Sequence, residues 1–366
     1  MTHRFKGIAN FRDLSHSSGG IIPPGRIYRC ATPSEATPED VDYILNKLNV
    51  KTIIDLRTTA ESAADIGENL LRSHYTVIPE SSLGRLNQIE HMRGTHERML
   101  FHVPVLPSNL SFLRELSYSS RAKLAYYGVL GYTDQAHRIV GDMMVNLKLN
   151  GLYRLILKTS WKNILRTLEL LSNPRNYPVM IHCTQGKDRT GMIANLLLHV
   201  CEVDEKKISE DYAHSEKELE PMRMNSEYMK RNFARAESLG LDMTSWMLSP
   251  IEAIEETHAW VQNQFGGYAK YMEWIRFSSV SQAFLHQVLV RTDQQNRSQP
   301  VTPAIAHADI TDSDSPSILT PFDSPDIKMR VKEEQVKNAL ERVKLDEGVL
   351  IPDVPPPIPK RPPKNL

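Results

Sequence analysis

The segment IHCTQGKDRTGM, residues 181–192, places Cys183 at the end of an apolar run and Arg189 six positions later. The preceding run PVMIHC is typical of a buried strand, and the apolar spacing from Met192 onward predicts a helix. A short loop between a strand and a helix directs backbone N–H groups and the positive end of the helix dipole at one point. We therefore expect an anion-binding loop with Cys183 at its floor.

Cys183 and Arg189 carry the side chains that attack on a phosphate ester requires. Backbone amides, a helix N-terminus and nearby cations stabilise the thiolate, which is the nucleophilic form of cysteine. A guanidinium binds two phosphate oxygens at once, in the substrate and in the transition state. Gly186 allows a positive φ or a close approach of the backbone. The pattern predicts that Cys183 attacks phosphorus while Arg189 and the loop amides hold its oxygens.

Other residues of the loop have more than one interpretation. The hydroxyl of Thr190 could hydrogen-bond the sulfur, and His182 is expected to order the loop rather than to take a proton. A lone cysteine is more often a buried packing residue, but its surroundings reverse that expectation here. A nucleotide-binding P-loop is disfavoured, because residue 181 is not glycine and Asp188 replaces the usual serine or threonine.

The surrounding sequence alternates helix and strand patterns. A helix over 37–48 begins at Thr37 and Pro38 and leads into a β-branched strand that ends at Asp55. A second helix, through Leu171, precedes the cysteine strand. Ser249-Pro250-Ile251-Glu252 predicts a capping box, and Gly266 a helix stop. This alternation predicts an α/β fold with a central sheet flanked by helices.

Several segments, together with the cysteine loop, resemble the cysteine-dependent phosphatases, in particular the atypical tyrosine and dual-specificity branch with the motif HCxxGKDRTG. The matching segments are NFRDL at 10–14, PGRIYR at 24–29, TIIDLR at 52–57 with Glu61 after it, DY and SE at 211–216, and GGY at 266–268. The resemblance implies that family's central sheet with an additional helical region, and activity without a metal or other cofactor. Residues 85–160 resemble it poorly, which leaves the lid and the substrate open.

The resemblance assigns roles residue by residue. Cys183 is the nucleophile and Arg189 the phosphate-binding cation; no separate acid loop of the WPD type is evident, so Asp188 is the candidate general acid, with Asp55 and Asp13 in reserve. The phosphate-binding set is Thr184, Gln185, Gly186, Lys187, Asp188 and Arg189. The supporting set is His182, Thr190, Asp55, Arg57, Arg12 and Asp13. Asp55 and Arg57 form either a structural ion pair or a substrate contact.

The implied substrates are phosphate monoesters on proteins, phosphotyrosine and also phosphoserine or phosphothreonine, or on phosphoinositides. Lys187 beside Arg189 is the feature that suggests inositol phosphates. An adaptor acting through the proline-rich end, with a fold that only binds phosphate, ranks second, and a phosphate-sensing pseudoenzyme third. A rhodanese or arsenate reductase also uses a cysteine in an anion loop, but NFRDL and IDLR argue against both.

Composition limits the class and the compartment. Lysine plus arginine equal aspartate plus glutamate, 44 each, so no global field favours nucleic acid or an anionic membrane. Three cysteines, Cys30, Cys183 and Cys201, suit neither a disulfide framework nor a four-ligand zinc site. Cys30 and Cys201 are read as packing residues, or as disulfide partners of Cys183 under oxidation. Without an apolar signal or an 18-residue apolar run, we expect a cytoplasmic protein with no transmembrane segment.

The chain divides near residue 290. Residues 1–290 are predicted to form the catalytic domain, and 291–366, rich in serine, threonine, aspartate and proline, a disordered tail. Residues 328–347 could form one charged helix. The end, PPPIPKRPPKNL, favours polyproline II and contains a P-x-x-P-x-R pattern that an SH3-type partner would bind.

Overall fold

The structure is a computed structural model that describes the greater part of residues 4–290 and a short tail segment. The described ranges are 4–63, 65, 69–85, 97–106, 113, 116–130, 132–225, 241–242, 248–290 and 358–359. Of the predicted tail, only Ile358–Pro359 is described. The predicted helix over 328–347 lies outside the described residues. The predictions of disorder and of polyproline II also lie outside them, apart from these two residues.

A six-stranded sheet forms the centre of the fold. Its strands are β1 (Arg12–Asp13), β2 (Ile27–Cys30), β3 (Thr52–Asp55), β4 (Thr76–Ile78), β5 (Met99–His102) and β6 (Val179–His182). Their order is β1-β2-β6-β3-β5-β4, and every neighbouring pair is parallel except β1 with β2. A separate antiparallel pair joins β7 (Leu241–Asp242) and β8 (Ile358–Pro359). The predicted α/β class is confirmed.

Helices cover both faces of the sheet. Those in the first half are α1 (Leu14–Ser17), α2 (Pro38–Asp42), α3 (Thr59–Ala63), α4 (Tyr118–Leu130) and α5 (Thr133–Thr159, kinked at Lys148). Those in the second half are α6 (Trp161–Ser172), α7 (Arg189–Val200), α8 (Glu205–Asn225), α9 (Ile251–Phe265), α10 (Tyr268–Trp274) and α11 (Ser279–Val290). Short 3-10 turns span Arg72–His74, Glu80–Arg85 and Pro174–Asn176, and a π-helix spans Tyr43–Lys47. No described helix is long and apolar enough to cross a membrane.

Three helix ends were predicted from the sequence, and two of them are confirmed. Thr37 and Asp40 form a capping box at the start of α2, although the backbone widens into the π-helix from Tyr43. Gly266, with φ +84°, ends α9 as predicted. The capping box predicted at Ser249 is wrong. Pro250 is the N-cap residue and makes no side-chain cap, while the Ser249 N–H donates to Glu216 Oε2 at 2.8 Å.

Two apolar layers follow from the alternation of side chains along each strand. Ile53 and Met180 join the layer that contains α2, whereas Ile54 and Ile181 face the larger layer that contains α6 and α7. Eleven of the residues of α7 are buried, so this helix runs through the centre of the larger layer. The packing fixes both ends of the cysteine loop, because β6 enters it and α7 leaves it.

Candidate active site

The cysteine loop lies at the carboxyl edge of the sheet, between β6 and the start of α7. His182, the last residue of β6, pairs in register with Cys30 on β2 and with Asp55 on β3. Cys183 is buried, and its Sγ accepts a hydrogen bond from the Gly186 N–H at 3.2 Å. This amide donor and the N-terminus of α7 favour a negative charge on the sulfur.

Gly186 lets the loop approach β2 closely. Its φ is +66°, and a Cβ at this position would lie 2.1 Å from the Cys30 carbonyl oxygen. Two further bonds hold the loop: Asn10 Nδ2 donates to the Gln185 carbonyl at 2.9 Å, and the Thr32 N–H donates to the Thr184 carbonyl at 2.8 Å. A side chain at 186 is therefore incompatible with the loop.

Glu61 orients the guanidinium of Arg189. Its two carboxylate oxygens accept hydrogen bonds from Arg189 Nη1 and Nη2 at 2.8 and 2.9 Å, and both side chains are buried. Burial by itself would lower the pKa of Arg189, but the carboxylate of Glu61 and the neighbouring Cys183 raise it above its ordinary value. Arg189 is thus a permanent cation in a fixed plane beside the cysteine.

Asp188 is held by a tyrosine pair and a lysine. The Tyr153 hydroxyl donates to Asp188 Oδ1 at 2.5 Å and lies 2.7 Å from the Tyr212 hydroxyl. Burial, and then the negative charge of Asp188, raise the pKa of Tyr153 well above its ordinary value, so its hydroxyl keeps its proton. Lys187 Nζ lies 3.2 Å from Asp188 Oδ1 and donates to the Leu248 carbonyl at 2.9 Å.

Asp55 and Arg57 form a buried ion pair. Arg57 Nε and Nη2 donate to the two oxygens of Asp55 at 3.0 and 2.9 Å, and Arg57 Nη1 donates to Asp65 at 2.6 Å. Burial would raise the pKa of Asp55, but Arg57 and then His182 hold it below its usual range. The pKa of His182 is lowered by burial, and its Nδ1 lies 3.2 Å from the Cys183 carbonyl oxygen. Of the two alternatives, the geometry favours a structural pair.

A second ion cluster supports the loop from the other side. Asp211 accepts from Arg12 Nε at 2.8 Å, from Ser17 Oγ at 2.6 Å and from Arg29 Nη1. Arg29 Nη2 donates in turn to the Gly186 carbonyl at 2.6 Å. Burial and then the neighbouring Arg12 lower the pKa of Arg29 to about 10, against the opposing effect of Asp211. Although burial opposes it, these two arginines hold the pKa of Asp211 below its usual range.

For Thr190 one expectation is wrong, and Asp13 lies in contacts that sequence reasoning did not foresee. The Thr190 hydroxyl is buried and has no hydrogen-bond partner among the described residues, which include Cys183, so the predicted bond to the cysteine sulfur is not formed. Asp13, a reserve acid, is the N-cap of α1; its oxygens accept from the Ser15 N–H at 2.8 Å and the Gly25 N–H at 2.6 Å. Both contacts are structural.

The three cysteines are free and buried. Burial is the largest cause that raises the pKa of Cys30, and the neighbouring Cys183 raises it further. Burial and then the negative charge of Glu202 raise the pKa of Cys201 to about 12. Both thiols are therefore protonated at neutral pH, as expected of packing residues.

Four residues that shape the site received no role from sequence reasoning: Glu61, Tyr153, Arg29 and Asp211. Glu61, Arg29 and Asp211 lie in segments that carry the family resemblance, so their position was a usable signal. Tyr153 lies in residues 85–160, where the resemblance is poor and a buried tyrosine looks like any core residue.

Comparison with known proteins agrees with the geometry. Residues 3–291 match the sequence model described as "Tyrosine phosphatase family", and the chain belongs to this family. A relative from Cupriavidus necator, named "Putative tyrosine-protein phosphatase", is 24% identical over 243 residues, which cover 65% of this chain and 69% of the relative. Membership supports phosphatase activity on phosphorylated substrates.

Proposed function

We propose that the protein hydrolyses phosphate monoesters, with phosphotyrosine in proteins as the first substrate class, through a phosphocysteine intermediate. The observation that carries this proposal is the buried Cys183 sulfur, which accepts a bond from the Gly186 N–H in the loop that continues into Arg189. This arrangement supports a nucleophilic thiolate next to a cation, the two charges that attack on a phosphate ester needs.

The reaction proceeds in two displacements. Cys183 Sγ attacks phosphorus, the S–P bond forms and the P–O bond to the leaving group breaks, while Asp188 donates a proton to the leaving oxygen. Water then attacks the phosphocysteine, the S–P bond breaks, and inorganic phosphate and the thiolate are released. Arg189 and the loop amides bind the equatorial oxygens in both steps, where charge accumulates.

Asp188 remains the best general acid among the three carboxyl groups considered. Asp55 is bonded to Arg57, and Asp13 to two backbone amides, so both are committed to structural contacts. Asp188 is the last residue of the loop, directly before Arg189, and Tyr153 fixes its orientation.

Phosphoinositides are a second substrate class to be tested rather than the first. The proposal for them depends on Lys187, whose side chain is buried and bonded to the Leu248 carbonyl and to Asp188. A lysine in these contacts orients the loop and does not extend toward a second phosphate on a head group. An assay of inorganic phosphate release from phosphopeptides and from phosphoinositide vesicles separates the two classes.

The first test uses an aryl phosphate with a chelator and a reductant, over pH 5–8. The wild type should release phosphate, and Cys183→Ser should release none. Cys201→Ala, which removes the buried cysteine after the far end of α7, is the matched control and should stay active. An acid-quenched sample should carry phosphate on Cys183 by mass spectrometry. Turnover that survives Cys183→Ser would refute the mechanism.

The cellular setting follows from the same chemistry. A catalytic thiolate and two buried free thiols need a reducing compartment, so we propose that the protein acts in the cytoplasm. The adaptor alternative, with an SH3-type partner at the proline-rich end, predicts that Cys183→Ser keeps its cellular effect, whereas a phosphatase loses it.

A further inference from the structure

Three side chains with metal-ligating groups meet at the far end of α7. His199 from α7, Glu205 from the start of α8 and His258 from α9 each offer one ligand atom, and these atoms lie within 4.8 Å of one another. His199 is ten residues beyond Arg189, about 15 Å along the helix axis. The cluster is therefore separate from the cysteine loop.

Each histidine has a nitrogen that no described residue contacts by a hydrogen bond. Nε2 of His199 and Nε2 of His258 are buried and make no hydrogen bond within the described part of the chain, and His258 as a residue is only 6% exposed. A buried nitrogen left without a hydrogen bond destabilises the folded protein, so two neighbouring ones need an explanation. A cation that both rings ligate would satisfy them.

The surroundings of the three side chains fix one imidazole ring and leave a route from solvent. The ring of His199 stacks on Tyr268 with centroids 4.0 Å apart, which holds the imidazole in place. Glu205 is exposed and gives access from solvent.

We propose that His199, His258 and Glu205 form a site for a zinc-class divalent cation. Two imidazoles and one carboxylate are a common zinc donor set, with a water as the fourth ligand. Ligand atoms about 2.1 Å from a tetrahedral ion lie about 3.4 Å apart. The three ligand atoms here lie within 4.8 Å of one another, so ion binding shortens the distances between them by little more than about an ångström. Rotation of the exposed Glu205 side chain supplies much of that movement. The bound ion would join α7, α8 and α9 without taking part in phosphate transfer.

The test measures Zn²⁺ binding to untagged, chelator-treated full chain by isothermal titration calorimetry. All variants carry Cys183→Ser, because a reactive thiolate also binds zinc. We expect one equivalent bound in this background and a rise in melting temperature on adding ZnCl₂. Glu205→Gln and His199→Asn should each weaken binding at least tenfold, while Glu210→Gln, another exposed carboxylate on α8, should bind as the parent does.

Co²⁺ provides an independent readout, since its visible ligand-field bands report coordination directly. The bands should be present in the Cys183→Ser protein and absent or shifted in Glu205→Gln. His199 and Glu205 are not fully buried, so folding of their variants can be verified by circular dichroism. No zinc binding by the Cys183→Ser protein, or binding equal in all three variants, would overturn the proposal.

Discussion

Glu61 and Arg189 form a two-point contact, carboxylate to guanidinium, at 2.8 and 2.9 Å in the interior of the protein. Glu61 lies on α3 and Arg189 at the start of α7, so the contact crosses the carboxyl edge of the sheet. It sets the plane of the Arg189 guanidinium, which under the proposed function binds the phosphate. The arginine after the cysteine loop is therefore oriented by an element more than 120 residues earlier in the chain.

Glu61→Gln should lower kcat/KM for an aryl phosphate by about 10–100-fold, because Arg189 loses one charged acceptor and its fixed plane. Steady-state kinetics on the purified variant measures this loss. Glu39→Gln, which changes an exposed glutamate, is the matched control and should be neutral. A Glu61→Gln enzyme with wild-type kcat/KM would show that Arg189 needs no orienting partner.

Asp188→Asn should reduce turnover of alkyl phosphates much more than turnover of aryl phosphates with good leaving groups. A good leaving group departs without a proton, so only the poor one needs a general acid. Rates for a series of esters of graded leaving-group acidity give the comparison. Equal losses across the series would remove Asp188 from the role of acid.

Tyr153→Phe should lower kcat, because Asp188 loses the donor that orients it, and should cost about 1–3 kcal/mol of unfolding free energy. Tyr271→Phe is the matched control, since its buried hydroxyl donates to the Leu157 carbonyl, outside the site. Urea unfolding and kinetics on both variants separate the effects. Similar kcat values for the two would contradict the orienting role of Tyr153.

Gly186→Ala should abolish activity and destabilise the protein, because the added Cβ meets the Cys30 carbonyl oxygen at 2.1 Å. Gly20→Ala tests positive φ alone: its φ is +85°, but no atom of the described residues lies within 4 Å of an added Cβ. Activity assays and thermal unfolding should show a far larger effect at 186. If the two variants match, backbone strain explains the loss and the contact with β2 does not.

Asp211→Asn should destabilise the protein at pH 7 by about 3–5 kcal/mol, because Arg29 stays buried without its carboxylate. The pKa of Asp211 is lower in the folded state than the ordinary value of about 3.9. Its stabilisation is thus complete above that ordinary value and is lost as the pH falls from there through the folded pKa. Urea unfolding at pH 7 and pH 3 should show a smaller difference from wild type in acid; a constant difference would contradict the ion pair.

The sequence by itself determined the α/β class, the strand that carries Cys183, the helix that begins near Arg189 and the family resemblance. These features are local: apolar periodicity, turn residues and a glycine are written in consecutive positions. The helix over 37–48 and the stop at Gly266 were predicted on the same grounds, and the wrong capping box at Ser249 shows the limit, because Glu216 on another helix takes the Ser249 amide.

Only the tertiary structure decided the partners of the candidate site residues. Glu61 with Arg189, Tyr153 with Asp188, and Arg29 with the Gly186 carbonyl join positions that are 35 to 157 residues apart. Likewise, His199, Glu205 and His258 meet only because three helices pack together. The spacing of residues along the sequence does not specify these contacts. They depend on the order of the strands and on which helices pack together, and burial of the whole core fixes both.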